Sequence, residues 1–195
     1  MRLVLATKNP GKVIEFERIL AEFGAIDLEV VGLNRFSEIG DIEETGKTFE
    51  ENALLKARTI CKLTGLPALA DDSGICVDAL NGAPGLYSAR YSGQGDAANN
   101  EKLLNELRDV PDEKRSAYFI CVAAYVRPDG LEQVAEGRFY GSILRQVIGD
   151  GGFGYDPLFK PEGMELSSAQ LSAAEKDAIS HRGKAMRAIA PYIIG

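Results

Sequence analysis

The chain has 195 residues, 45% of them hydrophobic and 26% charged, and carries a formal net charge of −7. That length suits one well-buried domain, and the composition is that of an ordinary globular protein. The acidic balance excludes a general nucleic-acid binder, which needs a basic surface, but not an anionic small ligand, because a few lysines and a metal ion can invert the field within one cleft.

Arg2 to Ala6 reads as a first strand, too short in its apolar run for a signal segment. No run approaches the length of a membrane span, so no membrane partner is expected. Thr7-Lys8-Asn9-Pro10-Gly11-Lys12 then turns into a helix, with Asn9 at the N-cap and Pro10 at the first helical position, where a missing N–H costs nothing. Val13, Phe16, Ile19, Leu20 and Phe23 recur at helical spacing, and Gly24 is placed to end the helix. A strand, a polar loop and a helix N-terminus with free amides and two lysines suit a phosphate, although the spacing is not that of a Walker A loop.

Leu28 to Leu33 reads as a second strand, followed by the acidic loop Asp41-Ile42-Glu43-Glu44-Thr45-Gly46. Thr48 with Glu51 forms a capping-box pattern, opening a helix with Phe49, Ala53, Ala57, Ile60 and Cys61 on one face. Asn52 and Lys56 lie four residues apart on a neighbouring face. Residues 66–78 then read as a buried strand interrupted by Asp71-Asp72-Ser73-Gly74. A polar cluster inside an apolar run breaks the local pattern, and such breaks mark functional sites. Strand neighbours point to opposite faces, so one carboxylate is expected to act as ligand or base and the other to support it, unless the backbone bulges.

Asn81 to Gly85 is a turn cluster, and residues 86–93 continue irregularly. Asn99 to Leu107 reads as a helix with Leu103, Leu104 and Leu107 inward. Ala117 to Val126 and Gln133 to Tyr140 read as strands of a hairpin turning at Arg127-Pro128-Asp129-Gly130. In residues 149–157 the glycines around Phe153 and Tyr155 leave room for a flat ligand to stack on an aromatic ring. Ser172 with Glu175 is a second capping box, opening a short helix that contains Lys176. Ser180-His181-Arg182-Gly183 starts the last helix, whose inner face is Ala185, Ile189 and either Tyr192 or Ile193. A helix N-terminus disfavours a protonated His181, so a neutral imidazole beside the Arg182 guanidinium offers two donors to a planar carbonyl-bearing ligand. Cys61, Cys76 and Cys121 fit neither a zinc spacing nor a disulfide framework and read as buried free thiols, hence a reducing, cytoplasmic setting.

Taken in order, Ala6 to Lys12, Glu43 to Gly46 with Asn52 and Lys56, Ala70 to Gly74, Gly82 to Gly85 with Ser88 to Tyr91, Gly152 to Pro157 and Ser180 to Gly183 resemble the motifs of the inosine triphosphate pyrophosphatase family. The resemblance spans nearly the whole chain. It implies an α/β fold, a single nucleotide pyrophosphatase domain over residues 1–195 with two lobes around a long, curved, mixed sheet and the active site in the cleft. It further implies a magnesium (Mg²⁺) requirement, a homodimer, and purine nucleoside triphosphates (ITP, dITP, XTP) as substrates, cleaved to the monophosphate and pyrophosphate. By the same resemblance Glu44 and Asp72 are the metal ligands, Asp72 is the base with Asp71 in support, and Lys56 is catalytic. Thr7, Lys8, Asn9, Pro10, Gly11 and Lys12 hold the phosphates, with Lys12 the firmer choice because the place of Lys8 varies in the family. Ser73 donates to a phosphate or sugar oxygen. Phe153 stacks on the base within the run Gly154-Tyr155, while Asp156, Lys176, His181 and Arg182 surround its polar edge. Residues 163–174 are less acidic than the family pattern, which touches only local helix geometry. Two other readings compete: a pyrophosphatase of the septum-inhibitor class, disfavoured by the Phe-Gly-Tyr-Asp and Ser-His-Arg runs, and a nucleotide sensor without turnover, disfavoured by carboxylates placed near phosphates.

Overall fold

The computed structural model describes residues 1–24 and 28–195. In chain order the main elements are β1 (Arg2–Leu5), α1 (Pro10–Ala21), β2 (Glu29–Gly32), α2 (Phe49–Thr64), β3 (Ala68–Val77), α3 (Asp96–Glu106), β4 (Ser116–Val126), β5 (Glu132–Ile143), β6 (Phe159–Pro161), α4 (Ala173–Ile179) and α5 (His181–Ile194). The strands form one six-stranded sheet in the order β2-β1-β3-β4-β5-β6. It is mixed: β1 pairs in parallel with β2 and β3, and β5 pairs antiparallel with β6. The α/β class expected from the sequence is the one observed.

The chain divides into two compact units. The first comprises Met1–Asp72, Cys121–Gly137 and Arg182–Gly195, and the second Ser73–Ile120 and Arg138–His181. In the first, Leu3, Leu5 and Leu69 from the parallel strands bury against Phe16, Ile19 and Leu20 of α1 and against Ala185, Met186, Ile189 and Ile193 of α5. The inner face of α5 therefore includes Ile193, while Tyr192 is exposed. In the second unit, Ile75 and Val77 pack with Leu103 and Leu107 of α3, and Phe119, Phe139 and Phe159 form an aromatic cluster with centroids 4.7 and 5.1 Å apart. All three cysteines are buried and free, as their contexts predicted.

Local chemistry explains where elements begin and end. Asn9 caps α1 and Pro10 sits in its first turn. The helix stops at Ala21, earlier than Gly24 suggested, and the turn that follows carries Gly24 at φ +69°. Thr48 caps α2, its Oγ1 accepting from Glu51 N at 3.1 Å, but the Glu51 carboxylate reaches back to Lys47 N at 2.6 Å, so the reciprocal half of the expected box is shifted by one residue. Ser172 and Glu175 make the complete box at α4. α3 starts at Asp96, three residues ahead of the expected Asn99, and β5 runs on to Ile143 rather than Tyr140. The short β6 and the 3-10 turn over Gly85–Arg90 were not foreseen, because neither carries a periodic apolar signal.

Candidate active site

β3 is continuous through the two aspartates, and Asp71 and Asp72 are both buried. Alternation along the strand sends them to different helices. Asp71 accepts from Lys12 Nζ of α1 at 3.0 and 2.9 Å and from Arg182 Nε of α5 at 3.4 Å. Asp72 accepts from Asn52 Nδ2 at 3.0 Å and Lys56 Nζ at 3.4 Å, both on α2. Lys56 Nζ also reaches Glu44 Oε1 at 2.9 Å, so one ammonium bridges the two carboxylates named as metal ligands. The i,i+4 spacing of Asn52 and Lys56 is what lets both side chains meet one carboxylate.

Burial is the main force on Asp72 and raises its pKa against the opposing pull of Lys56 and the Asn52 hydrogen bond; Glu44 and Asp71 push in the same direction as burial. For Lys56, burial opposes the charged form, but Asp72, Asp71 and Glu44 together override it and raise the pKa. Lys56 is therefore a fixed cation, and Asp72 is a carboxylate that takes up a proton more readily than an exposed one.

Thr7, Lys8, Lys12, Asp41, Glu44, Lys56 and Asp71 line one polar cavity of about 220 Å³. A larger groove of about 770 Å³ in the same unit is lined by Pro67, Tyr125, Tyr192 and Ile194 with the exposed pair Arg127–Asp129. The smaller cavity gathers three lysines with three carboxylates and is the better match to a polyanion.

One expectation needs correction here, and the surroundings of Arg182 and Tyr155 are now visible. The helix N-terminus does not present free amides: Asn9 Oδ1 accepts from Gly11 N at 2.9 Å and Lys12 N at 3.3 Å, and Val13 N donates to Asn9 O. Asn9, Pro10 and Gly11 thus shape the loop, while Thr7, Lys8 and Lys12 are what line the cavity. Arg182 is 5% exposed and its guanidinium pairs with Glu15 Oε2 at 3.0 Å as well as with Asp71, so two carboxylates hold the group that was expected at a base edge. Tyr155 is a core residue whose hydroxyl donates to Ser88 O at 2.8 Å, and burial raises its pKa.

In the second unit, Phe153 is 36% exposed, with Lys176 Nζ 4.9 Å from its ring centroid. Lys176 donates to Asp156, which also accepts from Phe153 N at 2.9 Å and Ser168 Oγ at 3.0 Å. His181, at the start of α5 as expected, is buried and stacks on Phe119 with centroids 4.8 Å apart. Ser73 is half-buried in β3.

Two residues were not selected from the sequence as site members. Asn52 joins the acidic loop to the strand, accepting from Gly46 N at 2.8 Å while donating to Asp72. Glu15 is buried on α1 opposite Arg182. Both had a signal: a polar residue at a position where the helical period calls for burial. Among the described residues no group of three or more His, Cys, Asp or Glu is arranged to hold a metal. The donors present are two carboxylates, Glu44 and Asp72, around one ammonium. That set fits a hard divalent ion, which takes one or two carboxylates and completes its shell with water and phosphate oxygens.

These features define an α/β protein with a lysine- and carboxylate-lined cavity suited to a phosphate-rich anion. The Ham1 family matches residues 3–192, and the chain belongs to that family. It is 52% identical over 194 residues to the dITP/XTP pyrophosphatase of Streptomyces coelicolor, covering 98% of this chain and 96% of that one. Among solved structures, the Ham1 protein of Staphylococcus aureus has a TM-score of 0.87 at 41% identity, covering 99% of this chain and 98% of that one. The nucleoside-triphosphatase / dITP/XTP pyrophosphatase of Mycobacterium abscessus has a TM-score of 0.78 at 49% identity, covering 99% and 100%.

Proposed function

We propose that the chain hydrolyses non-standard purine nucleoside triphosphates, dITP, ITP and XTP, to the nucleoside monophosphate and pyrophosphate. The observation that carries this is the polar cavity lined by Lys12, Lys56, Asp71 and Glu44, with Asp72 3.4 Å from Lys56 Nζ. A pure binder gains nothing from carboxylates beside phosphates, whereas hydrolysis needs both cations and a base. The relatives named dITP/XTP pyrophosphatase support the same reaction.

Lys12, Lys56 and Lys8 neutralise the triphosphate, and Thr7 offers a hydroxyl. Positioning and charge stabilisation carry most of phosphoryl chemistry, so fixed lysines matter more than a covalent nucleophile. Asp72, with its raised pKa, accepts the proton of the attacking water. Asp71 holds Lys12 and Arg182 rather than acting as base. Glu44 and Asp72 would hold a magnesium ion, which would supply charge neutralisation and Lewis acidity there. Phe153 stacks on the base, and Lys176 and Asp156 meet its polar groups. A homodimer in a reducing, cytoplasmic compartment completes the reading; the buried free cysteines support the compartment, and the elution volume on size exclusion tests the dimer. No described helix is long and apolar enough to cross a membrane.

The test is pyrophosphate release from dITP, XTP, dGTP and dATP with and without magnesium. Rapid magnesium-dependent release from the first two alone is the expected result. Equal release from all four overturns the base preference, and release from none overturns the reaction.

A further inference from the structure

We propose that Asp96 and Asn100 of α3 are positioning residues for base binding, acting through the peptide of Gly154. The proposal rests on the reading that Phe153 stacks on the base. Asp96 and Asn100 are four residues apart and share one face of the helix. Asp96 Oδ2 accepts from Gly154 N at 2.9 Å, and Asn100 Nδ2 donates to Gly154 O at 3.0 Å. Both polar groups of the residue that follows Phe153 are therefore held by one helix.

The other side of Phe153 is fixed as well. Its own N–H goes to Asp156, and Gly152 at φ +69° leaves no room for a Cβ, which would meet the Asp156 carboxylate. Gly154 is also left-handed, at φ +63°. The ring is 36% exposed and lies under Lys176 Nζ, and the backbone that carries it is held by these hydrogen bonds, so they help to set its tilt. Asp96, in the first turn of α3, is a carboxylate at the favourable end of the helix dipole.

Asn100 shows that stability is not the reason for the contact. It is 7% exposed, and its Oδ1 is buried with no hydrogen-bond partner. An amide that makes one bond and buries an unpaired acceptor is an expensive way to fill a helix position, and leucine would fill it without that cost. The carbonyl it serves is half-buried, so water can replace the lost donor. The amide keeps its value if it orients the loop.

The experiment is steady-state hydrolysis of dITP with magnesium by wild type, Asn100→Leu, Asp96→Ala and Asp96→Asn, with melting temperatures and inhibition by inorganic tripolyphosphate. Asn100→Leu is expected to raise KM for dITP about fivefold, the worth of one hydrogen bond, with kcat unchanged. Its melting temperature should not fall, and tripolyphosphate, which has no base, should inhibit it as it does wild type. Asp96→Ala should raise KM likewise, while Asp96→Asn, which retains an acceptor oxygen, should restore it. Wild-type KM in both Asn100→Leu and Asp96→Ala overturns the proposal. So does a KM increase matched by weaker tripolyphosphate inhibition and a lower melting temperature, which marks a general structural loss. If Asn100→Leu does not fold, the solvent-exposed Asp96 pair decides alone. Wild type that releases no pyrophosphate overturns the proposed reaction instead, which separates the two failures.

Discussion

At the scale of the residue, two adjacent carboxylates carry different work because strand alternation gives them different partners. Asp71 pairs with two cations, Lys12 and Arg182. Asp72 has one cation, Lys56, at a longer 3.4 Å, and burial raises its pKa. On the proposed reading, that difference makes Asp72 the proton acceptor. Asp72→Asn should then lower kcat by about 10²–10⁴-fold, the usual worth of a general base. The same shift has a consequence for stability. A carboxyl whose folded pKa lies above its unfolded value binds a proton more readily when folded. Its contribution therefore favours the fold at low pH and is lost as pH rises through the raised value. With a chelator present, the melting temperature of Asp72→Asn relative to wild type should climb as pH rises above 3.8. A difference that stays flat with pH would show that Asp72 titrates normally.

At the scale of the element, β3 is placed by its glycine as much as by its aspartates. A Cβ on Gly74 would meet the carbonyl oxygen of Gly85, and Ser88 Oγ at 2.7 Å. Ser88 Oγ in turn accepts from Ile75 N at 2.9 Å and donates to Gly85 O at 2.6 Å. The strand and the 3-10 turn over Gly85–Arg90 approach each other because position 74 has no side chain. Gly74→Ala should therefore destabilise the protein by about 1–3 kcal/mol, the cost of overpacking, measured by denaturant unfolding. In the sequence Gly74 stood out as part of the polar interruption of the strand, with no sign of what approaches it. The same limit applies elsewhere. Helix caps at Asn9, Thr48 and Ser172 were legible because capping chemistry is local. The ion pairs Arg182–Glu15 and Lys12–Asp71 join residues 167 and 59 positions apart, and no local pattern encodes such contacts. The two carboxylates beside Arg182 were accordingly not legible in the sequence. The burial of Tyr155 was missed for a related reason: a tyrosine among glycines looks open until the core of the second unit is assembled around it.

At the scale of the whole molecule, a chain of net charge −7 must bind a polyanion, and it stores the needed cations already paired. Lys8 pairs with Asp41, Lys12 with Asp71, and Lys56 with Glu44 and Asp72. On the proposed reading a triphosphate entering this cavity competes for those ammonium groups, and each lysine that turns to phosphate leaves its carboxylate with one cation fewer. Weaker charge pairing of a buried carboxylate is costly, and Asp72 is the most sensitive to that cost because burial already disfavours its charge. A divalent ion held by Glu44 and Asp72 would offset the cost by supplying positive charge. Nucleotide and magnesium should therefore bind cooperatively, each tightening the other, with a coupling of about 1–3 kcal/mol, or roughly 5–150-fold in affinity. Linkage makes the two factors equal. Titration calorimetry with a dITP analogue bearing a methylene between the α- and β-phosphorus atoms reads both directions. The nucleotide should bind weakly in chelator, magnesium should bind weakly alone, and the ratio should match. Lys56→Met should weaken this coupling, because the metal site would then be open before the nucleotide arrives. Equal nucleotide affinity with and without magnesium would show that the stored lysines suffice and that the carboxylates take no part in binding.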